Sequence, residues 1–190
     1  MNSFFLKEIP ELARDWDEIK SLFIEQEIPP NTTLLYEGDV ANEIYFIETG
    51  ALRLWNNDNG KDITFQFFFE NQMVSSFESF YLEKPSNFSI ESIEPTSITK
   101  LSKDSLKSLQ VKYPSINAFI TQKICERFMD YTNFFLSRIK DSPEKRYEQL
   151  LLTNPNLINR VQQYYIASYL GITPVSLSRI KARIHNNSQN

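Results

Sequence analysis

The chain has 190 residues, 41% of them hydrophobic and 23% charged, and a net charge of −4. That is enough length and apolar content for one large domain or two small ones with a real core, and it excludes an intrinsically disordered chain. No apolar run approaches the ~18 residues of a membrane helix, and the N-terminus MNSFFLKEIPELARDW carries acids and no long apolar core, which excludes a secretory signal and predicts a cytoplasmic protein.

In chain order, the spacing of Leu12, Trp16, Ile19, Leu22 and Phe23 predicts a helix over Pro10 to Gln26, stopped by Pro29-Pro30. From Thr32 to about Leu101 the period becomes two. Ile44, Phe46 and Glu48 alternate with Tyr45 and Ile47; Ile63, Phe65, Phe67 and Phe69 alternate with Thr64, Gln66 and Phe68. These are strands. Between Trp55 and Ile63, NNDNGKD contains Asn59-Gly60, which suits a type I′ hairpin turn because both central residues need positive φ. Short strands with tight turns read as a sandwich or barrel. After Ser102 the spacing is helical again: a short helix over Lys103 to Gln110, then a long one from Pro114 to about Lys140 with no internal Gly or Pro. Ile116, Ile120, Ile124, Phe128, Tyr131, Phe135 and Ile139 form a one-sided stripe along it. At ~1.5 Å per residue this helix is roughly 40 Å long. Its stripe serves packing against the chain's own sheet, a two-fold dimer seam, or both on different faces.

Asp141-Ser142-Pro143-Glu144 breaks and restarts the chain, with Ser142 as N-cap and Pro143 at the first helical position. The helix runs to about Leu152, Asn154-Pro155-Asn156 is a turn, and Leu157 to Arg160 is a short strand or connector. The stretch IASYLGITPVSLSRIKARI, Ile166 to Ile184, then reads as two helices. Ile166, Ala167 and Leu170 share one face, Gly171 allows the left-handed turn, and Ile172 plugs it. Thr173 caps the second helix and Pro174 starts it. Leu177, Ile180 and Ile184 make its buried stripe; Val175, Ser178, Arg179, Ala182 and Arg183 lie opposite. From Asp141 onward six basic residues stand against three acids, so the net −4 divides into −7 over the first 140 residues and +3 over the rest. A helix pair with a small, arginine-bearing outer face on an acid-poor tail points to the major groove of DNA.

The same residues carry a resemblance. IASYLGITPVSLSRI resembles the helix-turn-helix of Crp/Fnr-family bacterial transcription regulators, and LLYEGDVANEIYFIETGALRLW resembles the opening strands of that family's cyclic-nucleotide-binding β-roll. The likeness covers almost the whole chain. It implies an α+β fold: an N-terminal double-stranded β-helix or jelly-roll sensor domain over 1–113, a dimerisation helix over 114–140 and a helix-turn-helix domain over 141–190. It implies a homodimer on a palindromic double-stranded DNA operator, RNA polymerase as a further partner, and no membrane. Pro174, Val175 and Arg179 then occupy the main base-facing positions, with Thr173, Ser176 and Ser178 beside them. Arg179 becomes the guanine reader, and Lys181, Arg183, Lys145 and Arg146 become phosphate contacts. The family often has an acid where this chain has Val175; valine touches a thymine methyl instead of accepting from cytosine. The tail after Ile184, HNNSQN, is too short for an appended wing, so wing strands must come from before Gln162.

In the family, a Gly-Glu pair and an Arg followed by a small polar residue hold a cyclic nucleotide. The matching stretch is SSFESFYLEKPSNFSIES, Ser75 to Ser92. Glu78 and Ser89 match, but Phe77 replaces the glycine and Phe88 stands where the arginine belongs. A buried phosphate without a charged partner is disfavoured, so the pocket around Phe77, Glu78, Ser79, Phe80, Phe88 and Ser89 reads as degenerate, and cAMP binding is not expected. Phe77, Phe80, Tyr81 and Phe88 imply an apolar cavity or a filled core instead. The lone Cys125 excludes a disulfide, a cysteine zinc site and an iron–sulfur cluster; the lone His185, outside the strands, argues against haem ligation and a cupin-type metal centre. No nucleophile–base pair is visible, so no catalytic residue, metal or cofactor is expected, and the chain reads as a regulator and not an enzyme. The alternative is an effector- or protein-binding module of the same β-roll type with weak or no DNA binding.

Overall fold

The alternating segment folds into two four-stranded sheets, ordered β1-β8-β3-β6 and β2-β7-β4-β5, in the computed structural model, which describes residues 3–187. The strands are β1 (Phe23–Ile28), β2 (Thr33–Leu35), β3 (Glu43–Thr49), β4 (Leu52–Asp58), β5 (Lys61–Phe68), β6 (Met73–Val74), β7 (Ser89–Ser92) and β8 (Thr96–Ser102). Ile47 and Ile98 from the first sheet, and Leu52 and Ile90 from the second, are fully buried in the core. Asn59 and Gly60 both have positive φ, 53° and 85°, as the type I′ hairpin between β4 and β5 requires.

The helices are α1 (Ser3–Glu8), α2 (Pro10–Arg14), α3 (Trp16–Ile19), α4 (Phe77–Leu82), α5 (Lys103–Lys112), α6 (Ser115–Lys140), α7 (Pro143–Thr153), α8 (Pro155–Arg160), α9 (Gln163–Leu170) and α10 (Pro174–Asn187). The single helix expected over Pro10 to Gln26 is instead α2, α3 and a 3-10 turn at Lys20–Leu22, followed by β1. Leu12 and Ile19 are buried as helical spacing demands. From Phe23, however, the chain pairs antiparallel with β8, Phe23 opposite Leu101 through Ile28 opposite Thr96, and this ladder overrides the local periodicity. Inside the strand region, Phe77–Leu82 is helical. Leu157–Arg160 is the end of α8, not a strand, because Pro155 opens a helical turn. Among the described residues no strand follows Ser102, so the helix-turn-helix has no wing strands there.

Two serines cap helix starts: Ser142, as its position predicts, and Ser102, a cap that the sequence pattern does not single out. The Ser102 hydroxyl accepts from the Ser105 amide at 3.1 Å, and the Ser142 hydroxyl accepts from the Lys145 amide at 3.3 Å.

The chain divides into two compact units, and the division does not follow the boundaries 113/114 and 140/141. One unit holds residues up to Asn56 together with Gln66–Glu126; the other holds Asn57–Phe65 and the chain from Arg127 on. The reason lies in α6, which is continuous across the divide. Ile116 and Phe119 near its start are buried in the first unit. In the second unit, Phe134 of α6 stacks on Tyr169 of α9 with centroids 5.0 Å apart. The tip of the β4–β5 hairpin also belongs to the second unit: Ser168 Oγ accepts from the Thr64 amide at 2.9 Å and donates to the Asp62 carbonyl at 2.8 Å.

Candidate nucleic-acid interface

The second unit builds its helix pair from local chemistry. Tyr165, Ile166, Ala167 and Leu170 bury one side of α9. Gly171 adopts φ +69°, its amide bonds the Ser168 carbonyl at 2.9 Å, and the Ile172 amide bonds the Ala167 carbonyl at 3.0 Å. This paired closure satisfies carbonyls that a helix end otherwise leaves unbonded. Thr173 Oγ1 accepts from the Ser176 amide at 3.1 Å, and Pro174 starts α10. Leu177 and Ile180 are buried.

The outer face of α10 is laid out as its spacing predicts. Val175 is 60% exposed, and Ser178, Arg179, Ala182 and Arg183 are exposed beside it. Ser176 and Lys181 are half-buried, and the Ser176 hydroxyl lies 3.0 Å from Thr173 Oγ1. Arg179 and Lys181 have no hydrogen-bond or ion-pair partner among the described residues. No acid lies in the first turn of α10, whose Ser176 amide is capped by Thr173.

Three expected phosphate contacts are engaged elsewhere. Arg183 makes a two-pronged pair with Glu144 of α7, Nε–Oε1 3.2 Å and Nη2–Oε2 3.0 Å. Lys145 bonds Asp141 at 2.7 Å, which raises the lysine's pKa from its ordinary value, chiefly through that hydrogen bond. Arg146 departs furthest from the expectation. It donates to the Asp141 carbonyl at 3.0 Å and the Leu170 carbonyl at 2.9 Å, and its Nε is buried without a partner. Its guanidinium is spent on main-chain carbonyls and not turned to a phosphate. Glu144 and the Leu170 carbonyl are distant in sequence from their arginines, so spacing could not reveal them, whereas Lys145 and Asp141 stand four residues apart, the spacing of neighbours along a helix.

The long helix turns from core to surface along its length. Ile116 is fully buried, so it belongs to the roll's core and not to a seam; Ile120 is half-buried. Ile124, Phe128, Tyr131, Phe135 and Ile139 are all exposed.

In the first unit, the cassette residues do not form one pocket wall. Glu78 is exposed on α4 and lies 3.5 Å from Asn87 Nδ2. Phe77 is exposed and stacks on exposed Tyr81 with centroids 6.0 Å apart, so neither fills a cavity or the core. Phe80 is buried and Phe88 half-buried. The hydroxyls of buried Ser79 and Ser89 serve the fold: they accept from the Ala41 and Glu37 amides, each at 2.9 Å. A site that the residue pattern did not disclose is the pair Arg53–Glu91. The two lie opposite each other in the β4–β7 register, and Arg53, 2% exposed, bonds Glu91 Oε2 through Nε at 2.9 Å and Nη2 at 2.6 Å. Arg53 also sits 4.5 Å from the Trp55 ring centre. The available signal was a lone arginine between Leu52 and Leu54 in β4 and a lone glutamate beside Ile90 in β7. Among the described residues no cluster of three or more His, Cys, Asp or Glu is placed to hold a metal, and no helix is long and apolar enough to cross a membrane.

The fold is thus a two-sheet roll, a long helix with an exposed apolar strip, and a tightly capped helix-turn-helix. Residues 25–113 match the family model of the cyclic nucleotide-binding domain. No curated protein matches the chain. Among solved structures, FixK2 from Bradyrhizobium japonicum is similar at TM-score 0.75 and 16% identity, over 87% of this chain and 86% of that one. The c-di-GMP-responsive global regulator CLP of Xanthomonas campestris is similar at TM-score 0.75 and 15% identity, over 93% of each chain. A protein from Eubacterium rectale assigned to the crp/fnr family reaches TM-score 0.73 and 18% identity, over 95% of this chain and 88% of that one. The chain shares the fold of these structures along most of its length.

Proposed function

We propose that the protein is a homodimeric, sequence-specific transcription regulator of the Crp/Fnr type, not an enzyme, and that its roll does not bind cAMP. The observation that carries the reading is the outer face of α10, where Arg179 and Lys181 stand without a partner among the described residues, beside small side chains. A bare arginine on a capped helix suits a guanine edge; Val175 beside it suits a thymine methyl. The exposed strip on α6 supports a two-fold partner, and a two-fold pair of recognition helices fits a palindromic operator with half-sites about 34–36 Å apart. RNA polymerase is the partner on which such a regulator acts.

The case against cAMP is electrostatic. Arg53, a buried cation of the roll, already has Glu91, and Phe88 occupies the cassette's arginine position. A phosphate entering there loses its hydration without a charge-assisted bond in return. Calorimetric titration with cAMP to about 1 mM is expected to release no binding heat, whereas a micromolar dissociation constant contradicts the assignment.

Footprinting on the DNA upstream of the protein's own gene, at several salt concentrations, tests the central reading. A protected two-fold site is expected, with log K falling linearly in log salt. A folded protein that protects nothing favours the protein-binding module instead. The Arg183–Glu144 pair adds a sharper expectation. Glu144→Gln releases Arg183 toward a phosphate at a stability cost of about 1 kcal/mol or less, Arg183 being exposed and Glu144 half-buried. With two copies per dimer, the salt slope is expected to steepen by roughly 1.8 and affinity to rise several-fold. An unchanged slope removes Arg183 from the phosphate contacts.

A further inference from the structure

The turn between α9 and α10 is held by two arginines from outside the helix pair. Arg138, in the last turn of α6, donates Nη2 to the Tyr169 carbonyl at 2.6 Å. Arg146, in α7, bonds the next carbonyl, Leu170, at 2.9 Å and the Asp141 carbonyl at 3.0 Å. Tyr169 and Leu170 are the last two residues of α9, whose final carbonyls carry the negative end of the helix dipole. Both bonds are therefore charge-assisted, the stronger class of hydrogen bond. Neither guanidinium has a carboxylate partner among the described residues.

The surroundings fix the geometry further. The Arg138 guanidinium lies 5.2 Å from the Phe134 ring centre, and Phe134 stacks on Tyr169. Gly171 leaves the room: a Cβ there would collide with Arg138 Nη1. Burial first, and the nearby charge of Arg146 second, hold the Arg138 pKa below its ordinary value; the two cations are kept close by the neighbouring carbonyls of Tyr169 and Leu170. Arg146 also reaches the Asp141 carbonyl, at the junction between α6 and α7. The end of the long helix, the junction and the helix-turn-helix corner thus share two side chains. All of them lie in the second compact unit.

Resting on the DNA-binding reading, we infer that Arg138 and Arg146 are positioning residues that lock the recognition helix to the end of α6 and so set the half-site spacing the dimer accepts. Neither needs to touch DNA. In a two-fold dimer joined through α6, the distance and angle between recognition helices depend on how each is fixed to its own copy of α6. One base pair inserted between half-sites moves one of them by about 3.4 Å and turns it by roughly 34°. Only a rigid connection makes the protein sensitive to that change.

The test uses the full-length protein and a set of palindromes that differ only in half-site separation, together with a single half-site duplex. The wild type is expected to favour one separation by at least about 30-fold over its neighbours. In Arg138→Gln/Arg146→Gln that preference falls below about 5-fold, while half-site affinity stays within about 2-fold. A merely structural role lowers every affinity together and leaves the preference intact, and that result overturns the inference. If the double variant does not melt cooperatively, Arg146→Lys replaces it. Lysine keeps the charge but cannot span the three carbonyls that arginine reaches, those of Arg138, Asp141 and Leu170, so an intermediate preference is expected and an unchanged one overturns the inference. A wild type that binds none of the palindromes overturns the DNA-binding reading itself.

Discussion

Phe128→Asp is expected to turn the protein into a monomer at micromolar concentration, and to weaken binding to a two-half-site operator by about two orders of magnitude or more. In the single chain Phe128 is 72% exposed, Phe135 59% and Ile139 66%, with exposed Ile124 one turn before Phe128 and exposed Tyr131 between Phe128 and Phe135 on the same side of α6. Burying a side chain of this size stabilises by about 1.5–3 kcal/mol, and a two-fold interface counts each side chain twice. The aspartate removes both contributions and sets two carboxylates near one another. Without the dimer the second half-site loses its high effective concentration, so operator affinity falls while half-site affinity stays. Light scattering after size exclusion reads the mass; a variant that stays dimeric at low micromolar concentration moves the interface off this strip. The substitution lies in the exposed part of α6, so the roll's melting temperature is expected to change little.

What spacing revealed, and what it did not, divides by distance along the chain. The Asn59-Gly60 hairpin, the Ser142 cap, the left-handed Gly171 and the Thr173 cap each depend on residues within a few positions, and each forms as its chemistry demands. The stripe on α6 is legible as a stripe. The place where it passes from core at Ile116 to surface beyond Ile120 is not, because isoleucine and phenylalanine occur on both sides of the change. The strand identity of Phe23–Gln26 comes from a ladder with β8, a partner at the far end of the roll. The partners of Arg53, Arg146 and Arg183 are likewise remote: Glu91 across a strand pair, the Leu170 carbonyl at the end of α9, Glu144 on another helix. Charge counting puts a positive surplus in the tail correctly, but it cannot separate an arginine that closes a helix end from one that faces outward.

That separation gives Arg179 its weight. Of the tail's arginines, Arg146 and Arg183 are engaged within the fold, while Arg179 holds no partner among the described residues and lies on the face of α10 beside Val175 and Ser178. Arg179→Ala is therefore expected to leave stability within about 0.5 kcal/mol, since an exposed helix position loses little with alanine. It is expected to cost roughly 1–3 kcal/mol of discrimination in each half-site. Over two half-sites the operator affinity falls about 30-fold to 10⁴-fold. The loss has a signature: preference for the contacted base pair disappears, while affinity for unrelated DNA changes far less. Lys181→Ala gives the opposite pattern, weakening operator and unrelated DNA alike and making the salt slope shallower by roughly 1.8 per dimer, as expected for a phosphate contact. Binding measured against every base substitution in the half-site, at two salt concentrations, separates the two roles. If Arg179→Ala keeps wild-type operator affinity and base preference, the reader lies elsewhere on the helix, and Val175 and Ser178 become the side chains to change next.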